Sequence, residues 1–207
     1  MQFLLRVFAF VLIMGLGSIA TYAQSSDQKS TANKKLSMTR AAGDAVAAEL
    51  EFPEVEGWRR SEKMDIPAPG DGYTVNYDSQ GHGRVTNYIY SHGHERIPDE
   101  LKGVIVDELK GAKEAIQTAV SMGAYSDAKE GKSETVTLGG DGGKVKSLKA
   151  SFTLTTRGGQ KTNSDIYVFP YKNNFVKLRV TRFISPGTEA DTSFAKLMTA
   201  LDNLFSR

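Results

Sequence analysis

The chain has 207 residues, with 26 basic side chains, 24 acidic ones and no cysteine. So small a net charge excludes a general electrostatic grip on nucleic acid. The lack of cysteine excludes disulfides and an acylated lipoprotein terminus, so the folded part must hold together by core burial.

Residues 1–23 place one positive charge, Arg6, before an apolar run from Val7 to Gly17 and a small-residue exit at Thr21-Tyr22-Ala23. That order is the pattern of a secretory signal peptide, and the apolar run is about half the roughly 20 residues a spanning helix needs. The expected product is an exported protein, periplasmic or secreted, without stable membrane insertion after cleavage. Residues 24–51 read as a flexible leader. From Gln24 to Thr39 there is no aromatic residue to offset chain entropy, and Ala41 to Leu50 is an alanine-rich stretch with weak helical character.

A single domain is expected over residues 52–207, long enough to bury roughly 70% of its unfolded surface. Trp58, the only tryptophan, is expected to anchor its N-terminal edge in the core. Tyr73 to Tyr77 and Arg84 to Ser91 are β-rich runs separated by a glycine-containing turn, which predicts a hairpin. The period then changes. Leu101, Ile105, Leu109, Ala112, Ile116 and Val120 recur every three or four residues, which predicts an amphipathic helix from Asp99 to Met122 ending at Gly123. Lys102, Asp107, Lys110, Lys113 and Glu114 fall on its solvated face, and the pair Asp107-Glu108 is expected at the helix surface.

Beyond Tyr125 the alternation returns. Val136 and Leu138 form one strand, and Leu148, Ala150, Phe152 and Leu154 form the next across the Gly139 to Gly143 turn. Asp165 to Pro170 and Phe175 to Phe183 follow, joined by a turn at Lys172-Asn173-Asn174. Ser185-Pro186-Gly187 breaks the sheet, Thr188 is the expected cap, and Phe194, Leu197, Met198, Leu201, Leu204 and Phe205 form a closing helical stripe. The expected fold class is α+β, an antiparallel sheet of about six strands with two main helices in the order β-β-α-β-β-β-β-α.

This order, the Phe52-Pro53 to Gly57-Trp58 opening, the Val168 to Val180 pattern around Lys172-Asn173-Asn174 and the final Leu197 to Phe205 helix resemble the fold shared by the photosystem-associated PsbP proteins and the Ran-binding Mog1 proteins. The resemblance covers residues 52–207. It implies a sandwich fold and transfers no functional residue.

Few constellations carry chemistry. His82, His92 and His94 lie near the ends of one hairpin, and His92 and His94 would share a face of a strand, as two ligands of a Zn²⁺ or Cu²⁺ would. Gly139-Gly140-Asp141-Gly142-Gly143 lacks the Lys-Ser/Thr and the helix of a phosphate loop and reads as a hairpin turn. Gly81-His82-Gly83-Arg84 lacks the third glycine of a dinucleotide fingerprint. No Gly-x-Ser-x-Gly elbow is present, and Ser91 and His92, as strand neighbours, face opposite ways. Alternation places Tyr167 and Phe169 with Lys177 and Arg179 on one sheet face, the composition of a protein-partner surface.

The leading expectation is therefore a non-enzymatic binding or assembly module with a protein partner and no cofactor. A metal-dependent or cryptic hydrolase at His82, His92 and His94, and a small-molecule carrier, are the alternatives. Export has a direct consequence. The mature chain should begin at Gln24, and an intact mass of exported material that still included residues 1–23 would identify the segment as an anchor.

Overall fold

The computed structural model describes residues 50–66, 72–184 and 188–207. The expected signal peptide at 1–23, most of the leader, the alanine-rich stretch up to residue 49 and the 185–187 break lie outside the described residues. All described residues belong to one compact unit.

The chain forms an antiparallel sheet with two helices. Its strands are β1 (Arg59–Arg60), β2 (Met64–Asp65), β3 (Tyr73–Ser79), β4 (Gly83–Tyr90), β5 (Asp127–Thr137), β6 (Lys146–Thr155), β7 (Lys161–Tyr171) and β8 (Asn174–Phe183). The helices are α1 (Val104–Ser121) and α2 (Thr188–Phe205). The sheet has eight strands rather than six, in the order β1-β3-β4-β8-β7-β6-β5 with β2 also on β3. The two additional strands are two-residue pieces with exposed side chains, Arg-Arg and Met-Asp, and carry no alternation.

Helix α1 starts five residues later than the periodicity predicts, because Gly103 adopts φ 53° and no side chain caps the start. Asp99 therefore precedes the helix instead of opening it. The C-terminus falls as expected. Gly123 N–H donates to Val120 O and Ala124 N–H to Ala119 O, the paired bonds of a Schellman end.

Alternation divides the sheet into two apolar faces. Under α2 lie Tyr73, Val75, Tyr77, Val85, Ile89, Phe169, Val176, Leu178 and Val180, together with Trp58, Leu197 and Leu201. The Trp58 ring meets Phe194 edge-on at 4.8 Å and its Nε1 donates to Ser193 O, so it closes the N-terminal edge as expected. Under α1 lie Ile166, Val168, Phe175, Ala150, Phe152 and Leu154 with Ile105, Leu109, Ala112 and Ile116. The helix packs over β5, β6 and β7, and no β3 side chain belongs to its cluster.

Leu201 is fully buried and Leu109 nearly so, whereas Lys110 is exposed. Leu201→Ala and Leu109→Ala should each cost about 2 to 5 kcal/mol, with Leu201→Ala the larger. Lys110→Ala should stay within about 0.5 kcal/mol. Denaturant melts of the three variants check the assignment of both helix faces, and equal shifts would show it wrong.

Candidate functional site

The β7–β8 hairpin decides where the expected partner residues go. Lys172 and Asn173 have φ 45° and 61°, and Tyr171 pairs with Asn174, so the loop has two residues in the type I′ conformation rather than three. Tyr167 therefore faces Leu178, Phe169 faces Val176, Val168 faces Lys177 and Ile166 faces Arg179. The single aromatic and basic face expected from the sequence does not form. Phe169 is fully buried beneath α2, 5.2 Å from the Phe205 ring, and Tyr167 is half-buried on the same side. Lys177 and Arg179 lie on the α1 side.

The histidines are likewise separated. His82 sits in the turn before β4, and His92 and His94 follow its far end, so the eight-residue strand holds them roughly 25 Å apart at about 3.3 Å per residue. His92 and His94 come together around the Phe175 ring, at 6.2 and 5.5 Å. Among the described residues, no group of three His, Cys, Asp or Glu side chains is placed to hold a metal ion.

What does assemble is a carboxylate cluster that unites one residue from each expected set. Glu108, on α1, lies three residues after Ile105 and four before Ala112, inside the apolar stripe. It is not a solvated surface acid, and its side chain is only 13% exposed. Tyr90 donates its hydroxyl to Glu108 Oε1, Lys177 Nζ lies 3.2 Å from the same oxygen, and His92 Nε2 is 3.4 Å from Oε2. Lys177 also lies over the Tyr88 and Tyr90 rings, at 5.2 and 5.0 Å. Burial pushes the Glu108 carboxyl up, but the Lys177 ammonium and the hydrogen bonds from His92 and Tyr90 outweigh it and hold the group at about 2.

Farther along β8 on the same side, Arg179 Nη2 donates to the Tyr125 hydroxyl at 2.8 Å, and Nε lies 3.4 Å from Ser164 Oγ. Thr86 faces Arg179 across the β4–β8 ladder. Tyr88 hydrogen-bonds Thr86, and burial pushes the pKa of its hydroxyl up although the nearby Arg179 charge opposes that. A third polar side, beneath α2, holds buried Asp165, which accepts from Ser151 at 2.7 Å and pairs with Arg182 at 2.5 Å.

The glycine-rich turn also has its anion. Asp202 of α2 is buried and accepts the backbone N–H groups of Lys144 and Val145 at 2.8 to 3.0 Å. A Cβ at Gly139 would stand 3.1 Å from the Asp202 Cβ, which accounts for glycine there. The turn thus wraps a carboxylate of its own chain.

The chain matches no family model and no curated protein. Glu108 was open to detection, since its place in the apolar stripe marks it as an inward-facing acid. Tyr125 carried no such signal, because it reaches Arg179 across 54 residues of sequence.

The folded carboxyl of Glu108 lies below its ordinary value of 4.5. Its contribution to stability is therefore complete above about pH 5 and is lost as pH falls from about 4.5 to about 2, and the shift corresponds to about 3 kcal/mol. Glu108→Gln should remove this part of the acid dependence. Unfolding midpoints at pH 6, 4 and 2.5 check it. A variant that loses stability with acid as steeply as the wild type would show that Glu108 is not held ionised.

Proposed function

We propose that the chain is an exported, non-enzymatic binding or assembly module whose partner surface is the α1-side face of β3, β4 and β8. The observation that carries this reading is the composition of that face. Where α1 packs on β6 and β7, the face carries Ala150, Phe152, Leu154, Ile166 and Val168, but beside it Thr74, Asn76, Thr86, Tyr88, Lys177 and Arg179 occupy the same face. No β3 side chain belongs to the cluster beneath α1, and the mixture of tyrosine and cations is that of an interface hot spot. Lys177 and Arg179 thus keep the role expected of them, with Tyr88 and Tyr125 as their aromatic neighbours in place of Tyr167 and Phe169.

The fold itself we assign to the PsbP/Mog1 type. Support comes from the antiparallel path, the tight Lys172-Asn173 hairpin at its centre and the closing helix on Phe169, Tyr171 and Phe52. Export rests on the charged, apolar and small-residue order of residues 1–23.

A photoreactive phenylalanine analogue placed at Thr74 should give a discrete crosslinked species in the producing cell. The same group at Thr153, on the opposite side of β6, should give little. Equal crosslinking from both positions, or none from Thr74, would remove this face as the partner surface. Stoichiometric metal in untagged protein, lost on His92→Ala, would favour a metal-dependent hydrolase instead.

A further inference from the structure

Three cations follow one another on the α1 side of the sheet where β4 and β8 pair. Arg84 lies across from Thr181, Arg179 across from Thr86, and Lys177 across from Tyr88. The outer two have carboxylates of their own. Arg84 Nε is 2.5 Å from Asp78 Oδ1, and Lys177 Nζ is 3.2 Å from Glu108 Oε1.

The central one has only hydroxyls. Arg179 is half-buried, its guanidinium is bonded to Tyr125 and Ser164 and lies 5.8 Å from the Tyr125 ring centre, and Ser164 and Thr86 are themselves buried. Among the described residues, no carboxylate is within ion-pair distance of it. A guanidinium does not lose its proton at any ordinary pH, so this charge persists, and a desolvated charge is costly until it is paired. Two of its five N–H donors are used, one on Nε and one on Nη2. What remains is the Nη1–Nη2 edge, the fork that binds a carboxylate bidentately.

We infer that Arg179 anchors a binding site for a carboxylate-bearing organic ligand, gripped by that fork with Tyr88 and Tyr125 beside it. The charge count selects the class. With Arg84 and Lys177 already neutralised, one positive charge is in excess, which suits a monoanion. A phosphate dianion would leave a negative charge unbalanced among half-buried hydroxyls. The inference rests on the binding-module reading and gives the partner surface its chemical preference.

The test uses the mature protein with ¹⁵N-arginine labelling, following side-chain Nε–H resonances during titration with benzoate, acetyl-dialanine, acetyl-dialanine amide and inorganic phosphate. A saturable shift of the Arg179 signal is expected with at least one carboxylate and not with the amide. Arg179→Gln should weaken binding about tenfold or more, as loss of a charge-assisted bidentate contact does. Tyr125→Phe, which keeps the ring and removes the hydroxyl that orients Arg179, should weaken it less.

Benzoate binding alone identifies a small organic acid as the source, and acetyl-dialanine binding alone a peptide C-terminus; both support the site. Amide binding as tight as the acid, phosphate tighter than either carboxylate, or no saturable shift would overturn it. If Arg179→Gln does not fold, Arg179→Lys retains the charge without the fork, and unchanged affinity there would overturn the bidentate grip. A crosslink from Thr74 without carboxylate binding would leave the partner surface standing and remove this site alone.

Discussion

The two-residue turn at Lys172-Asn173 determines which side chains of the two central strands meet which helix. In a hairpin the side chains opposite one another share a face, so a loop one residue longer would exchange the faces of every residue on one strand relative to the other. With the observed loop, Phe169 and Tyr171 join Val176, Leu178 and Val180 beneath α2, and Lys177 and Arg179 share the α1 side with Ile166 and Val168. The turn acts on its surroundings too. Asn173 accepts from Ile97 N–H at 2.7 Å and donates to Glu95 O at 3.1 Å, which fixes the segment just after His92 and His94.

Buried carboxylates then hold the layers in that arrangement. Glu108 joins α1 to β4 and β8 through Tyr90 and Lys177, and Asp202 joins α2 to the turn between β5 and β6. Buried ion pairs add little net stability, because desolvation offsets much of their attraction, but they penalise wrong arrangements heavily. A slip of β8 by one residue would carry Lys177 away from Glu108 and into the cluster under α2. The hydrophobic pattern and the Glu108 pair therefore enforce the same register.

Those parts of the fold whose burial is periodic were readable from the sequence. The apolar stripe of α1, the closing stripe of α2 and the alternation of β3, β4, β6, β7 and β8 each report a face in contact with a core. The strand β5 was only partly readable. Most of its residues are exposed, and it carries a register shift between Glu130 and Ser133, as edge strands often do. Face assignment across the β7–β8 hairpin failed for a different reason. The sequence reads Lys172-Asn173-Asn174 as the whole turn, but Asn174 belongs to β8, and that single residue reverses the parity that relates Tyr167 and Phe169 to Lys177 and Arg179. Of the candidate site, Lys177, Arg179 and His92 are legible in the sequence, while Tyr88, Tyr90 and Tyr125 are not, because what they touch lies in other elements.

The placement of α1 also accounts for the polar character of the neighbouring face. The cluster beneath the helix draws on β6 and β7 and takes Phe175 from β8 and Tyr90 from β4, with Tyr88 partly buried against it. Beyond that boundary Thr86 and Arg179 stand on the α1 side of β4 and β8, where leucines and phenylalanines stand under the helix. Glu108 stands at the boundary and neutralises Lys177, the first cation outside the apolar zone. Arg179, two residues farther along β8, is beyond its reach. The helix that completes one half of the core thus leaves, at its margin, a guanidinium held by hydroxyls, and any counter-charge for it must come from outside the described residues.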